Sequence, residues 1–227
     1  MPAAYARAFT PSEVAEHEQV IARRGARLVH AEICAGSSGE QVCVVGEDRP
    51  GLLALVTDAL LVHGLSIRNA KVYCRKRPDG ESEAVDFFQL QHEKGDVGVG
   101  IGTAELAAFL QTLSELVAED VLAASRPSAA PISSSPATRV YFELEALRRD
   151  EATLLVEAPD TEGLLNAITN ALVAQHVHIR ASEIRTEAGL AHDRFDLVSN
   201  DGQALSAVRL CDIQQAVHAA LPKLARR

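Results

Sequence analysis

Tryptophan is missing from this 227-residue chain, methionine occurs once, and aromatic residues make up only 4%. A core must therefore be aliphatic, drawn from the Val, Ile, Leu and Ala that dominate the 47% apolar fraction. No apolar run reaches the roughly 18 residues that a membrane-spanning helix needs. Residues 1–10 lack the apolar segment of a secretory signal. Basic residues are also short, 22 Lys and Arg against 31 Asp and Glu, a formal charge of −9. That balance argues against binding a nucleic-acid backbone or an anionic membrane, since both require a basic face. Cys34, Cys43, Cys74 and Cys211 show no C-x-x-C spacing and no paired-histidine pattern. Neither a zinc site nor a redox motif is suggested, and the thiols read as buried, reduced small hydrophobes. An acidic cytoplasmic protein without a cofactor is expected, built as one large domain or two small ones.

An internal duplication decides between one and two. Asp48-Arg49-Pro50-Gly51-Leu52-Leu53 aligns with Asp160-Thr161-Glu162-Gly163-Leu164-Leu165 at an offset of 112, and nine of the 21 positions from Asp48 to Arg68 are identical. The offset reaches back to Arg27-Leu28 and Arg139-Val140 without a gap. Between the copies, residues 125–138 hold three prolines and five serines with almost no large apolar side chain, which predicts a linker. The predicted organisation is an N-terminal helix over 1–26, a first domain over 27–124, the linker, and a second domain over 139–227. The first domain carries a net −7 and the second −3.

Each copy predicts strand, strand, helix, hairpin and helix. In the first, strands are expected over 27–34 and 42–45, and a helix from Leu52 that Gly64 stops. A hairpin follows, turning at Arg77-Pro78-Asp79-Gly80, and then a helix with Thr103 as N-cap. In the second, strands are expected over 139–144 and 154–157 and a helix over 162–174. The hairpin turns at Glu187-Ala188-Gly189, and Ser206 caps the last helix. This order is a permuted ferredoxin-like unit, in which a strand placed before the first takes the slot of the missing last one. The predicted fold class is α+β: two such sandwiches, each an antiparallel four-stranded sheet with two helices on one face. Ahead of them, Thr10-Pro11-Ser12-Glu13 predicts a capping box and a helix to Arg24 that ends at Gly25. Its thin apolar face must dock on something to persist.

The turn shared by both copies, strand–Asp-x-x-Gly–helix, has two readings. Gly51 and Gly163 permit positive φ while Asp48 and Asp160 cap the helices, which is purely structural. Alternatively, the first amides of the helix form an anion site for a ligand carboxylate, and the aspartate accepts an ammonium group. Together they suit a zwitterionic amino acid.

These turns, with Gly64-Leu65-Ser66-Ile67-Arg68-Asn69-Ala70 and Ala84-Val85-Asp86-Phe87-Phe88, resemble an ACT domain. The second copy keeps Asp160, Gly163-Leu164-Leu165, Ile179, Ala181, Asp193 and Phe195. Over nearly its whole length the chain is similar to the C-terminal, tandem-ACT part of bacterial PII uridylyltransferase/uridylyl-removing enzymes. The resemblance implies a regulatory unit sensing an amino acid, with glutamine as the implied effector, and ACT pairing within the chain or in a homodimer. A regulated enzyme is a possible partner. The implied ligand residues are Asp48, Arg49, Pro50, Gly51 and Leu52 with Ile67 and Asn69, and in the second copy Asp160, Gly163, Leu164 and Ile179. Thr161-Glu162 replaces Arg49-Pro50, and Glu162 would repel a ligand carboxylate. The first copy is thus the better expected ligand site. The competing reading is a ligand-free dimerisation or interaction module.

Catalytic motifs are missing: the nucleotidyltransferase Gly-Ser motif with paired aspartates and a metal-dependent His-Asp phosphohydrolase domain have no room, so no enzyme is expected. His192-Asp193 is one dipeptide and supplies too few ligands. His176-x-His178 reads as exposed or hydrogen-bonded histidines, and Arg75-Lys76-Arg77 as a solvated hairpin tip. Of Phe87 and Phe88, one is expected in the core, because neighbouring strand residues face opposite ways.

Overall fold

A computed structural model gives the protein's architecture. It describes residues 3–36, 39–92, 100–119, 138–147 and 151–221, so the predicted linker lies, save for Thr138, outside the described residues. The chain is α+β, with one open, antiparallel, eight-stranded sheet. The first half contributes β1 (Val29–Gly36), β2 (Gly39–Glu47), β3 (Leu65–Lys76) and β4 (Ser82–His92). The second contributes β5 (Arg139–Phe142), β6 (Ala152–Pro159), β7 (Val177–Glu187) and β8 (Leu190–Ser199). Spatial order is β1-β2-β4-β3-β7-β8-β6-β5. The leading strand of each half takes the expected place, antiparallel beside the next.

Two separate four-stranded sheets were expected; instead β3 and β7 pair, antiparallel, and fuse the halves. In that pairing Lys71 lies opposite Glu183, its own counterpart at the 112-residue offset. Above it, Thr57 Oγ1 lies 3.1 Å from Thr169 Oγ1, again at offset 112. A local two-fold axis therefore passes through both pairs. Asn166 adds a bond across this seam, its amide donating to the Asp58 carboxylate.

One face of the sheet carries α3 (Leu52–Val62), α4 (Thr103–Ala118), α6 (Leu164–Ala174) and α7 (Ala207–Ala220), in the row α4-α3-α6-α7. A short α5 (Leu144–Leu147) links β5 to β6. Phe109, Ile168 and Ile213 of this row and Phe88, Leu154 and Phe195 of the sheet are fully buried in one core. Both α3 and α6 start after a left-handed glycine, Gly51 at φ 87° and Gly163 at φ 74°, and no side chain caps them. Asp48 and Asp160 therefore do not cap, and α6 starts at Leu164 rather than at Glu162. Gly102, not Thr103, is the N-cap of α4; its amide donates to Glu105, whose side chain reaches back over the first turn. Ser206 caps α7 as expected, accepting from the Arg209 amide.

The opposite face differs between halves. Helices α1 (Ala3–Ala8) and α2 (Pro11–Arg24) cover it in the first half, so that half has helices on both faces rather than one. The Thr10–Glu13 capping box forms as read, and α2 ends at Gly25. Tyr5, Val20 and Ile21 pack on Cys34, Cys43, Val45, Tyr73, Val85 and Phe87. Phe87 and Phe88 are consequently both core, on opposite faces. His17, fully buried, lies 2.9 Å from the Tyr5 hydroxyl, and burial holds its imidazole below the ordinary histidine value. Buried Glu83 pairs with Arg24 of α2 at 2.8 Å and Arg75 of β3 at 2.7 Å. In the second half the same face carries His192, Arg194 and Asp196, alternating with buried Ala191, Asp193 and Phe195. One-sided burial of that kind is the usual reason for strict alternation in a strand.

Candidate functional site

The two-fold axis generates two equivalent cavities, each bounded by one half's Asp-x-x-Gly turn and the other half's inner strand. The first lies between Asp48, Arg49, Gly51 and Leu52 and the start of β7 at His178 and Ile179. The second lies between Asp160, Thr161, Gly163 and Leu164 and the start of β3 at Ser66 and Ile67. The structure thus gathers nine predicted residues into two sets, each turn facing the isoleucine of the other half. Pro50 lines neither. Asn69 sits on the opposite face, where its amide donates to Gln89 Oε1 at 2.6 Å.

The cavities have diverged. About 260 Å³ is open at the Asp160 turn, but only about 20 Å³ at the Asp48 turn. Equivalent positions in the two linings carry different side chains, among them Arg49 against Thr161. Ser66 is matched by His178, and Thr186 by Cys74. His178 Nε2 reaches across the seam to Asp48 Oδ1 at 3.0 Å, and Cys74 lies beside the same carboxylate, its thiol donating to the Ile179 carbonyl at 4.0 Å. Asp48 is partly buried, which disfavours its charge, but the bond and charge of His178 outweigh this and hold the carboxyl below its ordinary value. Burial, together with the Asp48 carboxylate, pushes the Cys74 thiol well up. Arg49 is engaged too, donating to the Val117 carbonyl at the end of α4 at 2.8 Å. Sequence favours the first turn as a ligand site, yet the room lies at the second.

The larger cavity is also chemically unsatisfied. Thr161 Oγ1 and Asp193 Oδ1 are buried without a hydrogen-bond partner, and both residues line it. Buried polar atoms in folded proteins are ordinarily paired, so each orphan needs an explanation. Burial first, and then the nearby Asp160 carboxylate, push Asp193 up to about 8. Neutral at lower pH, it is an acid able to donate. Leu164, Leu165 and Asn166, the first turn of α6, line the same space, and the first amides of a helix have no intrahelical acceptor. Glu162, the expected repulsive charge, is exposed at the rim. Sequence reading missed Thr161, Asp193, Ser66 and Gln91. The available signal was the shared aspartate, Asp86 and Asp193, in the middle of apolar strand residues.

The remaining features stay local. His192 is exposed while Asp193 is buried on the other face, so the pair forms no joint site. Arg75 bonds Glu83, Lys76 bonds Ser82, and Arg77 pairs with Asp79, all within the hairpin. Cys34 and Cys43 are buried as expected, but Cys74 is only partly buried and Cys211 is exposed. Among the described residues no helix is long and apolar enough to cross a membrane.

No protein-family model matches the chain. Curated relatives do. A bifunctional uridylyltransferase/uridylyl-removing enzyme of Ralstonia nicotianae is 29% identical over 184 residues, 79% of this chain and 20% of that enzyme. The enzyme of the same name from Phenylobacterium zucineum is 26% identical over 233 residues, 98% of this chain and 24% of the relative. That of Chromobacterium violaceum is 26% identical over 203 residues, 82% and 22%. The chain resembles a region of these enzymes. It spans between a fifth and a quarter of their length. A solved structure of an unknown protein from Galdieria sulphuraria covers 69% of this chain and 78% of its own at 20% identity, with a TM-score of 0.25, too low to bear on the fold.

Proposed function

We propose that the chain is a non-catalytic regulatory unit of two ACT-like halves that binds a small zwitterionic amino acid in the cavity beside Asp160. One observation carries this reading: a cavity of about 260 Å³ at the seam, with two orphaned buried polar atoms, Thr161 Oγ1 and Asp193 Oδ1, in its wall. Asp160 supplies a carboxylate for the ammonium group. The first turn of α6 supplies amides for the ligand carboxylate, favoured by the positive end of the helix dipole. Ser66, Gln91 and Asp193 remain for a polar side chain, in keeping with the glutamine that the family resemblance implies. A ligand held there touches both halves, so it favours the joined arrangement by its differential affinity and passes occupancy to whatever the seam contacts.

Calorimetric titration with the twenty amino acids, glutamine first, tests the proposal. Binding of at least one, weakened in Asp160→Ala, is the expected result. Silence at millimolar concentration throughout would overturn it in favour of a ligand-free interaction module. Nucleotide transfer to a PII protein would overturn the non-catalytic part.

A further inference from the structure

The smaller cavity has chemistry of its own, and it does not depend on the ligand reading of the larger one. Asp48 comes from the turn before α3, Cys74 from the outer part of β3, and His178 from the start of β7. A carboxylate oxygen, a thiol sulfur and an imidazole nitrogen from these three lie within 4.8 Å of one another. Ligand atoms around a tetrahedral zinc, at about 2.0–2.3 Å from the ion, sit roughly 3.3–3.7 Å apart. Asp48 Oδ1 and His178 Nε2, at 3.0 Å, need only spread slightly to admit an ion. Room for about one water-sized occupant, some 20 Å³, already exists there. A fourth polar group lines the same space. Asp86 is 1% exposed, lines the same cavity, and its Oδ1 has no hydrogen-bond partner.

We infer that Asp48, Cys74 and His178 form a zinc site that staples the two halves across their seam. Three different donors, one of them a thiolate, suit Zn²⁺ rather than Mg²⁺ or Ca²⁺, which take all-oxygen shells. Three protein ligands leave a fourth position for water. Asp86 is placed to accept from that water or to orient a ligand. On binding, Cys74 gives up its proton to solvent and the ion replaces the Asp48–His178 contact. Because two ligands belong to the first half and one to the second, occupancy tightens the seam. Spacing in the sequence cannot reveal this set: the residues are 26 and 104 apart, on three segments.

The equivalent cavity supplies fold-compatible variants. Cys74→Thr installs the residue found at position 186, and His178→Ser that at position 66. The full chain is titrated with Zn²⁺ in competition with a chromophoric chelator, then with Co²⁺ as a spectroscopic probe. The expected result is one Zn²⁺ per chain and a thiolate-to-cobalt charge-transfer band. That band is lost in both Cys74→Thr and His178→Ser, and retained in Cys211→Ser, which removes the exposed thiol. Circular dichroism confirms that each variant is folded, and either folded variant suffices. Absence of a charge-transfer band in the wild-type chain would overturn the inference, as would a band that survives Cys74→Thr.

Discussion

The two seam cavities share one framework and differ in what surrounds the turn aspartate. At the Asp160 turn, Ser66 and Thr186 are short, the space stays open, and two buried polar atoms lack partners. At the Asp48 turn, His178 and Cys74 stand in their places, and the aspartate is met by the His178 imidazole. The backbone framework is common to both: a left-handed glycine, a helix N-terminus and an opposing strand. At the Asp48 turn the His178 imidazole meets the carboxylate, whereas the equivalent Ser66 is too short to reach across in the same way. A turn motif alone therefore identifies a place where a ligand fits but does not show whether the place is free.

The aspartate pair breaks this comparison most sharply. Asp160 is exposed and Asp48 half-buried. Asp160→Ala should weaken the effector about 10–100-fold, the worth of a hydrogen bond to a charged group, while changing stability by no more than about 0.5 kcal/mol. Asp48→Ala should do the reverse, leaving affinity intact and costing about 1.5–3 kcal/mol by stranding His178. Calorimetry and thermal melts of both variants check the crossing.

The pH dependence of stability separates Asp48 from the buried strand aspartates next, Asp86 being pushed up by burial as Asp193 is. Asp193 binds its proton up to about pH 8 in the folded chain, whereas an unfolded aspartate releases it near 4. Between those values the native state holds more protons, so stability falls as pH rises through that window. Asp48 has the opposite sign: its depressed value contributes stability that is lost as pH falls through the acid range. Asp193→Asn should therefore raise the melting midpoint at pH 9 by roughly 4–8 °C, about 2 kcal/mol, and much less at pH 5. Melts of the ligand-free chain against pH read this directly. The smallest effect is at the axis. Thr57→Val removes the Thr57–Thr169 contact at the axis and should cost about 1 kcal/mol, seen as a lower denaturation midpoint.

Much of the fold is legible in the sequence because the duplication states it twice. The 112-residue register, the hairpin turns, the Thr10–Glu13 capping box and Ser206 all rest on local chemistry that the structure keeps. Fusion of the halves is not legible. The pairing strands meet through Asn69, Ala70, Lys71, Val72 and Tyr73, whose alternation fits a sheet edge as well as a sheet centre. The second covered face of the first half is harder still. Val85 and Phe87 carry its signal, but a short helix over Ala3–Ala8 has too few residues to show a period. In the site, the Asp-x-x-Gly turns and the two opposing isoleucines can be read from sequence. The polar wall cannot, since β6–β8 pairing brings Asp193 beside the Thr161 turn and only the β3–β7 pairing adds Ser66. Arg49 is misleading for another tertiary reason: its charge looks available until α4 packs beside α3 and Val117 accepts from it.

Exchanging two of the side chains that distinguish the cavities tests the central claim most directly. The amino acid found to bind is titrated calorimetrically into Ser66→His and His178→Ser side by side with the wild-type chain. An imidazole at position 66 stands opposite Asp160 as His178 stands opposite Asp48, so Ser66→His should abolish binding, whereas His178→Ser should leave that site's affinity unchanged. Undiminished binding in Ser66→His, or loss of all binding in a folded His178→Ser, would contradict the assignment of the ligand to the Asp160 cavity.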